Sequence, residues 1–289
     1  MEEKGWMGID MGSFQSKVKK HLGEYKKDIL KTQEDGVFIY RGKEILYEHI
    51  IPSGKEHLNI IEKYRNDFFA SSFSKNMTFH RYFHHLNSSQ AMCINCFYPL
   101  IKEQLLELVL KAVGINGSIN YNSNDICFEK ESELEKSFER KTNFDFYIKL
   151  DSEVKLFFEI KYTENGFGKA KHDKKYIDKF NGTYKSILEQ SPTIEENFKS
   201  EETFLNNYQI MRNLLNINKN SYVIFIYPDE NETVKKEALL AKHMIKGEWK
   251  NHLILFTWEE FIKKIESCLS SKDLIDYYRN DFTDKYLKY

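Results

Sequence analysis

Several familiar signatures are missing from this 289-residue chain, and each absence narrows what it does. Charge of either sign is not in excess: 44 Asp and Glu face 43 Lys and Arg, leaving a net charge of −1. A globally basic nucleic-acid binder is thereby excluded, and affinity for phosphate has to come from a local patch. No stretch approaches the roughly 18 consecutive apolar residues of a membrane-spanning helix. The first residues, MEEKGWMGID, do not read as a signal peptide, so the cytoplasm is the expected location and no membrane partner is expected. Cysteine is scarce: Cys93, Cys96, Cys127 and Cys268. The CINC spacing gives one knuckle, where a structural zinc site usually takes two, placed in loops. Here the pair sits in SSQAMCINCFYPL, which reads as a helix, and Cys127 sits in an apolar strand. Buried reduced thiols are expected. His80 and His84 are four apart, a spacing that can bind metal on a helix, but the glutamate of an HExxH motif is absent. There is also no internal repeat, low-complexity segment or obvious linker.

What is present is a core-forming sequence, 41% hydrophobic with 22 Phe and 18 Tyr, long enough for one or two domains. Its richness in Lys, Asn and Ile fits an AT-rich bacterial genome. The chain is organised around residues 143–164, NFDFYIKLDSEVKLFFEIKYTE. Phe144, Phe146, Ile148 and Leu150 alternate with Asp145, Tyr147 and Lys149, and Leu156, Phe158 and Ile160 alternate with Phe157, Glu159 and Lys161. This is the period of two of paired strands. With Asp151, Ser152 and Glu153 as a three-residue loop, Leu150 sits opposite Val154. That register puts Asp145 and Glu159 on one face, and Lys161 joins them. Charges on a mostly apolar hairpin are costly unless paired or metal-bound. Mg²⁺ suits this set, because it prefers hard carboxylate oxygens and can generate a nucleophile from bound water. A Lys beside it can orient that water or neutralise a developing oxyanion. A solvated face with an ordinary ion pair is the bland alternative.

Asp145 followed by Glu159-x-Lys161 resembles the active-site signature of the PD-(D/E)XK nuclease superfamily, the restriction-endonuclease-like fold. Phe144 stands where the family's name has Pro. A further resemblance, to a bacterial subgroup of these nucleases, covers residues 80–230. There an SSQA-type helix precedes the sheet and the strand ends in a sequence like EIKYTE, and both segments occur here in that order. The resemblance implies an α/β (α+β) core, a mixed central β-sheet flanked by helices, over residues 80–289, with a helical and hairpin extension over 1–79. It implies that Asp145 and Glu159 bind Mg²⁺, with Mn²⁺ able to substitute, and that Lys161 assists the attacking water. The Ile160 carbonyl is a candidate third oxygen. A further acid often comes from the helix before the sheet; Glu103, Glu107 and the strand residue Glu129 are all open, with Glu129 preferred. The helix after the ExK strand often presents a Gln or a basic residue, which Gln209 and Arg212 match.

The rest of the chain reads as follows. Residues 13–31 and 56–70 are helical, separated by a hairpin over 36–51 that turns at Arg41, Gly42 and Lys43. Asn87 or Ser88 can cap a helix running to Tyr98. Pro99 either kinks it or opens the next, whose apolar stripe (Ile101, Leu105, Leu108, Val109) stops at Gly114. Ser88 and Asn95 share a polar face of the first half. Residues 124–129 are a short strand that brings Glu129 to the site if it pairs with the Asp145 strand, and residues 131–141 are a charged connection. From Lys161 to Lys185 seven lysines face three acids, with Tyr176, Phe180 and Tyr184 interleaved. Lysines and aromatics so mixed suit a phosphate backbone and unpaired bases. Residues 200–216 form a helix with Phe204, Tyr208, Met211 and Leu215 inward and a stripe of Asn206, Gln209, Arg212 and Asn213. YVIFIY and HLILFT are buried strands, and a last helix reaches Leu269. Strands alternating with helices after a β-meander indicate a mixed sheet flanked by helices.

These observations point to a Mg²⁺-dependent DNA phosphodiesterase, an endonuclease of restriction or defence type. Asp145, Glu159, Lys161, Glu129 and Gln209 are its expected catalytic residues; Lys169, Lys171, Lys174, Lys175 and Arg212 are its expected contacts to DNA. RNA stays an alternative substrate, and a homodimer is left open. One rival is a nuclease-like fold that binds nucleic acid or protein without cutting. Another is a zinc-dependent interaction protein built on His80, His84, Cys93 and Cys96.

Overall fold

The computed structural model describes residues 13–121, 124–135 and 141–289. A two-stranded sheet of β1 (Gly36–Tyr40) and β2 (Lys43–Tyr47) precedes a five-stranded one. The larger sheet consists of β3 (Ile126–Glu131), β4 (Asn143–Lys149), β5 (Lys155–Ile160), β6 (Ser221–Tyr227) and β7 (Leu253–Thr257), in that spatial order. β3, β4 and β5 pair antiparallel; β5, β6 and β7 pair parallel. Parallel neighbours need a crossover. Residues 161–220 make the first and the Glu232–Met244 helix lies in the second. This is the mixed, helix-flanked sheet that the resemblance implies. β6 is continuously apolar because both of its faces are covered. Ile224 and Ile226 enter the core on one side, Val223 and Phe225 the core on the other.

The first core packs the sheet against the Ser89–Lys102 helix, whose Phe97 ring stacks on Phe146 of β4 at 4.3 Å. Ser88 caps that helix, its Oγ accepting the Ala91 N–H. Asn95 is not on a polar face as expected. It is buried, donating to Asn59 O and Tyr286 Oη and accepting the Ile61 N–H. Pro99 lies inside the helix rather than at a boundary. A proline cannot donate to the carbonyl four residues back, here Asn95. Tyr277 Oη donates to Asn95 O at 2.7 Å instead, and Tyr278 Oη donates to Cys96 O at 2.6 Å. These tyrosines come from the helical stretch beyond Leu269 (Lys272–Asp276 and Tyr277–Phe282), which lacks a periodic signal strong enough to read from sequence.

The Phe14–Asp28 helix, the β1–β2 hairpin and the Glu62–Ala70 helix occupy the N-terminal part. Val18, Leu22, Ile51 and Phe68 from this part share one core with Phe97, Phe146 and Trp258. On the opposite face of the sheet the expected single helix over 200–216 is two helices, Glu201–Asn206 and Tyr208–Leu214, broken at Asn207. Phe204, Tyr208, Met211 and Leu215 all face inward there. The charged connection over 131–141 lies partly outside the described residues.

Candidate active site

The site begins where two strands part. In the β4–β5 hairpin the Leu150 N–H donates to Val154 O at 2.8 Å and Phe146 sits opposite Phe158. Glu153 closes the loop at φ +65°, the left-handed conformation on which three-residue hairpin loops commonly end. Hydrogen-bonded pairs recur at every second position of an antiparallel ladder, so Phe144 with Ile160 would come next. The ladder ends before it. The Ile160 N–H donates to Asp145 Oδ2 at 2.6 Å, a carboxylate in place of a backbone carbonyl. On the other side of β4, Glu129 faces Asp145 with φ +56°, between the pairs Phe128–Phe146 and Lys130–Phe144. The alternation of β4 breaks here. Phe146 and Ile148 belong to the first core, whereas Phe144 joins Tyr147 in the second, 4.6 Å from Phe157. Phe144 therefore does not share a face with Phe146 as its period suggests, because the backbone swivels at Glu129 and Asp145.

Beyond the fork, β5 delivers Glu159 and Lys161. The Lys161 N–H donates to Ile226 O on the β6 side, so alternation directs the backbone groups of Ile160 toward β4. Lys161 Nζ donates to Glu159 Oε1 at 2.8 Å and to Gln209 Oε1 at 3.0 Å. Gln209 Nε2 donates to Glu159 Oε1 at 2.7 Å, and Asn213 Nδ2 donates to Glu159 Oε2 at 3.0 Å. Two amides of the polar stripe, Gln209 and Asn213, thus face the buried carboxylate, whereas Arg212 turns to Glu135 and Asn206 to His172. Trp258 Nε1 fixes the strand end through Lys161 O at 3.0 Å.

Glu129 reaches the same neighbourhood. Gln90, in the first turn of the Ser89–Lys102 helix, donates to Glu129 Oε1 at 2.7 Å. Gln90 Nε2 also donates to Thr78 O and its Oε1 accepts the His80 N–H, so one side chain ties helix, β3 and the 78–80 segment together. Glu103 and Glu107, the other candidate acids, lie elsewhere, Glu103 on Tyr64 and Glu107 on Tyr121. Burial raises the Asp145 carboxyl well above the usual carboxylate range; Glu159 and Glu129 push the same way, against Lys161 and the Ile160 N–H. Burial raises Glu129 too, with Glu159 adding to it and hydrogen bonds from Gln90 and Asn143 opposing. Burial alone would lower Lys161, but Glu159, Glu164 and Asp145 hold its ammonium above the usual range.

Two clefts open onto these groups. One, of about 750 Å³, is lined among others by Gln90, Glu129, Lys169, Gln209 and Arg212. The other, of about 430 Å³, holds Asp145 and Glu164 and shares Gln90 and Glu129 with the first. Lys169, Lys171, Lys174 and Lys175 are exposed. The aromatics interleaved with them are not available as an open platform, because Phe180 and Tyr184 are buried in the second core. Arg212 is engaged by Glu135 at 3.1 Å and lies 4.8 Å over the Tyr208 ring. Cys93 and Cys96 are buried along one helix. Among the described residues, no three His, Cys, Asp or Glu side chains converge into a ready-made metal cage.

The profile of a family described as Restriction Endonuclease associating with ARP matches residues 13–287. The chain belongs to this restriction-endonuclease family. Its members' description points to a nuclease or defence-type function. No curated protein and no solved structure matches the chain. In this restriction-endonuclease chain, sequence reasoning left Asn213 and Gln90 without a role. Asn213 carried a usable signal, an amide four residues after Gln209 and so on the same helix face. Gln90 is the glutamine of the SSQA segment, but its partner was not legible, since that depends on the left-handed turn at Glu129.

Proposed function

We propose that this restriction-endonuclease chain is a Mg²⁺-dependent nuclease of the PD-(D/E)XK type that hydrolyses DNA phosphodiester bonds in defence against foreign DNA. The observation that carries the reading is the pairing of Lys161 with Glu159 and Gln209 beside the Asp145 fork. The donor set fits a hard divalent cation. Asp145, Glu159 and Glu129 act on one another's charge without converging into a three-acid cage, and Mg²⁺ binds through one or two carboxylates while keeping its own waters. Asp145 and Glu159 would hold it, with the Ile160 carbonyl as a further oxygen and Glu129 as a third acid. When bound, the ion activates water and offsets charge on the phosphate.

The chain's own residues do the rest. Lys161 stays protonated at neutral pH, since its acidic neighbours, Glu159 foremost, outweigh its burial. It acts as a donor that orients the attacking water and balances charge on the phosphoryl oxygens, and it is not the base. Gln209 accepts from Lys161 and donates to Glu159, which fixes both side chains. Lys169, Lys171, Lys174 and Lys175 hold the strand by its phosphates. The family's description associates its members with ARP, and we extend that association to this chain. Incubation with supercoiled plasmid tests the reading: nicking or linearisation is expected with Mg²⁺ or Mn²⁺ and none with EDTA. Cutting that continues undiminished in EDTA, or that survives Glu159→Ala, rules it out.

A further inference from the structure

We propose that the cleft beside Asp145 seats one unstacked nucleobase of the strand being cut. The inference rests on the nuclease reading above and deepens it, since it names the substrate class: DNA with an unpaired or extruded base at the cut. One wall of this cleft, about 430 Å³ in volume, is made of rings. Tyr82 lies 5.0 Å from His85 and 5.4 Å from His80, centroid to centroid. Phe38 of β1 packs on Tyr82 at 5.7 Å and on His85 at 5.8 Å, so the N-terminal hairpin buttresses this wall. A base offers a π face to such a surface whatever its identity.

The polar lining is also incomplete in a way that a base would complete. Asn87 Nδ2 donates to Thr163 Oγ1 at 2.7 Å, but Asn87 Oδ1 is buried without a partner, and so is His85 Nε2. Buried polar atoms are nearly always satisfied, so two orphans on residues that line one cleft call for an explanation, and a small turn of either side chain presents its atom to an occupant. The edge of a nucleobase carries the matching donors and acceptors. Without a bound metal a free phosphate is the wrong occupant, because Glu129, Asp145 and Glu164 complete the lining. The adjoining larger cleft, with Arg81, Lys141 and Lys169, is the basic one and takes the backbone. A base still stacked in a duplex cannot enter a side cleft of this kind; it has to be unpaired already or flipped.

The test is fluorescence anisotropy with the full chain in EDTA, so that nothing is cut. The probes are a short labelled oligothymidylate, an abasic strand of equal length and a blunt duplex. The wild type is expected to bind the base-bearing strand at least about fivefold tighter than the abasic one, the scale of one aromatic stack. Tyr82→Ala should remove that preference while Tyr82→Phe keeps it, with circular dichroism showing both folded. Asn87→Ala should weaken the preference as well. If the wild type binds base-bearing and abasic strands equally, or if Tyr82→Ala and Asn87→Ala both keep the full preference, the base pocket is wrong and the nuclease reading stands. If no probe binds and no plasmid is cut, the nuclease reading itself fails and the pocket falls with it.

Discussion

Two buried groups of opposite charge, Glu159 and Lys161, differ in what their removal should do. Glu159→Ala deletes a proposed metal ligand and leaves Lys161, Gln209 and Asn213 facing an empty space. Metal affinity and rate should both fall. Lys161→Ala leaves both carboxylates in place and removes a cation that opposes metal, so binding should persist or tighten. The rate should still drop by roughly 10²–10³, the usual effect of losing one such donor. Calorimetric Mg²⁺ titration beside plasmid cleavage separates the two, and a wild-type rate for Lys161→Ala would reduce Lys161 to a salt-bridge partner. Asp145 makes a prediction about pH. Its raised carboxyl keeps a proton in the metal-free fold that the unfolded chain has lost. The folded state therefore binds more protons, and stability falls as pH rises from about 3.9 through the raised value. Asp145→Asn keeps an acceptor for the Ile160 N–H and removes the charge. Above that window the metal-free variant should melt higher than the wild type, by on the order of 1 kcal/mol or roughly 2–4 °C. A lower melting point at neutral pH would show that the fold already compensates the charge.

At the scale of elements, the Ser89–Lys102 helix depends on a partner far along the chain. Tyr277 supplies the donor that Pro99 cannot. Tyr277→Phe should cost about 1–3 kcal/mol, the penalty for orphaning a buried acceptor. In a Pro99→Ala background the new N–H can reach Asn95 O, so the same change should cost little. Urea unfolding of the two single variants and the double variant measures this coupling, and additive costs would sink the account. That dependence also marks how far sequence can be read. The β4–β5 register was legible because a three-residue loop of Asp151, Ser152 and Glu153 sets Leu150 opposite Val154. The core side of residues 200–216 was legible from its helical period. The fork at Asp145 was not, because it needs a left-handed Glu129 that no propensity favours. Nor was the burial of Asn95, Phe180 and Tyr184. A polar residue at helical spacing looks alike whether water or another helix faces it, and aromatics between lysines look like a binding surface until a core claims them.

For the molecule as a whole, the balance of charge decides how it could hold the DNA proposed as its substrate. With a net charge of −1 there is no long-range field to draw a polyanion, so attraction has to be local. Many basic groups are already spent on acids: Arg212 and Lys179 on Glu135, Lys155 on Glu133, Lys246 on Glu196. The run Lys169, Lys171, Lys174 and Lys175 is exposed on the segment that leaves the site, and Lys169 reaches the larger cleft itself. Each phosphate neutralised by such a lysine releases counterions and contributes about 0.9 to the slope of log affinity against log salt for duplex DNA. Replacing all four by alanine should therefore flatten that slope by up to roughly 3–4, weaken binding about equally for every sequence, and leave the melting temperature nearly unchanged, because exposed lysines add little stability. Cleavage at saturating DNA should survive, since Asp145, Glu159 and Lys161 are untouched. Salt titrations of duplex binding in Ca²⁺, for wild type and quadruple variant, give the two slopes. Equal slopes would move the DNA track off this segment, to the Arg81 side of the cleft, since Lys141 there is already paired with Glu131.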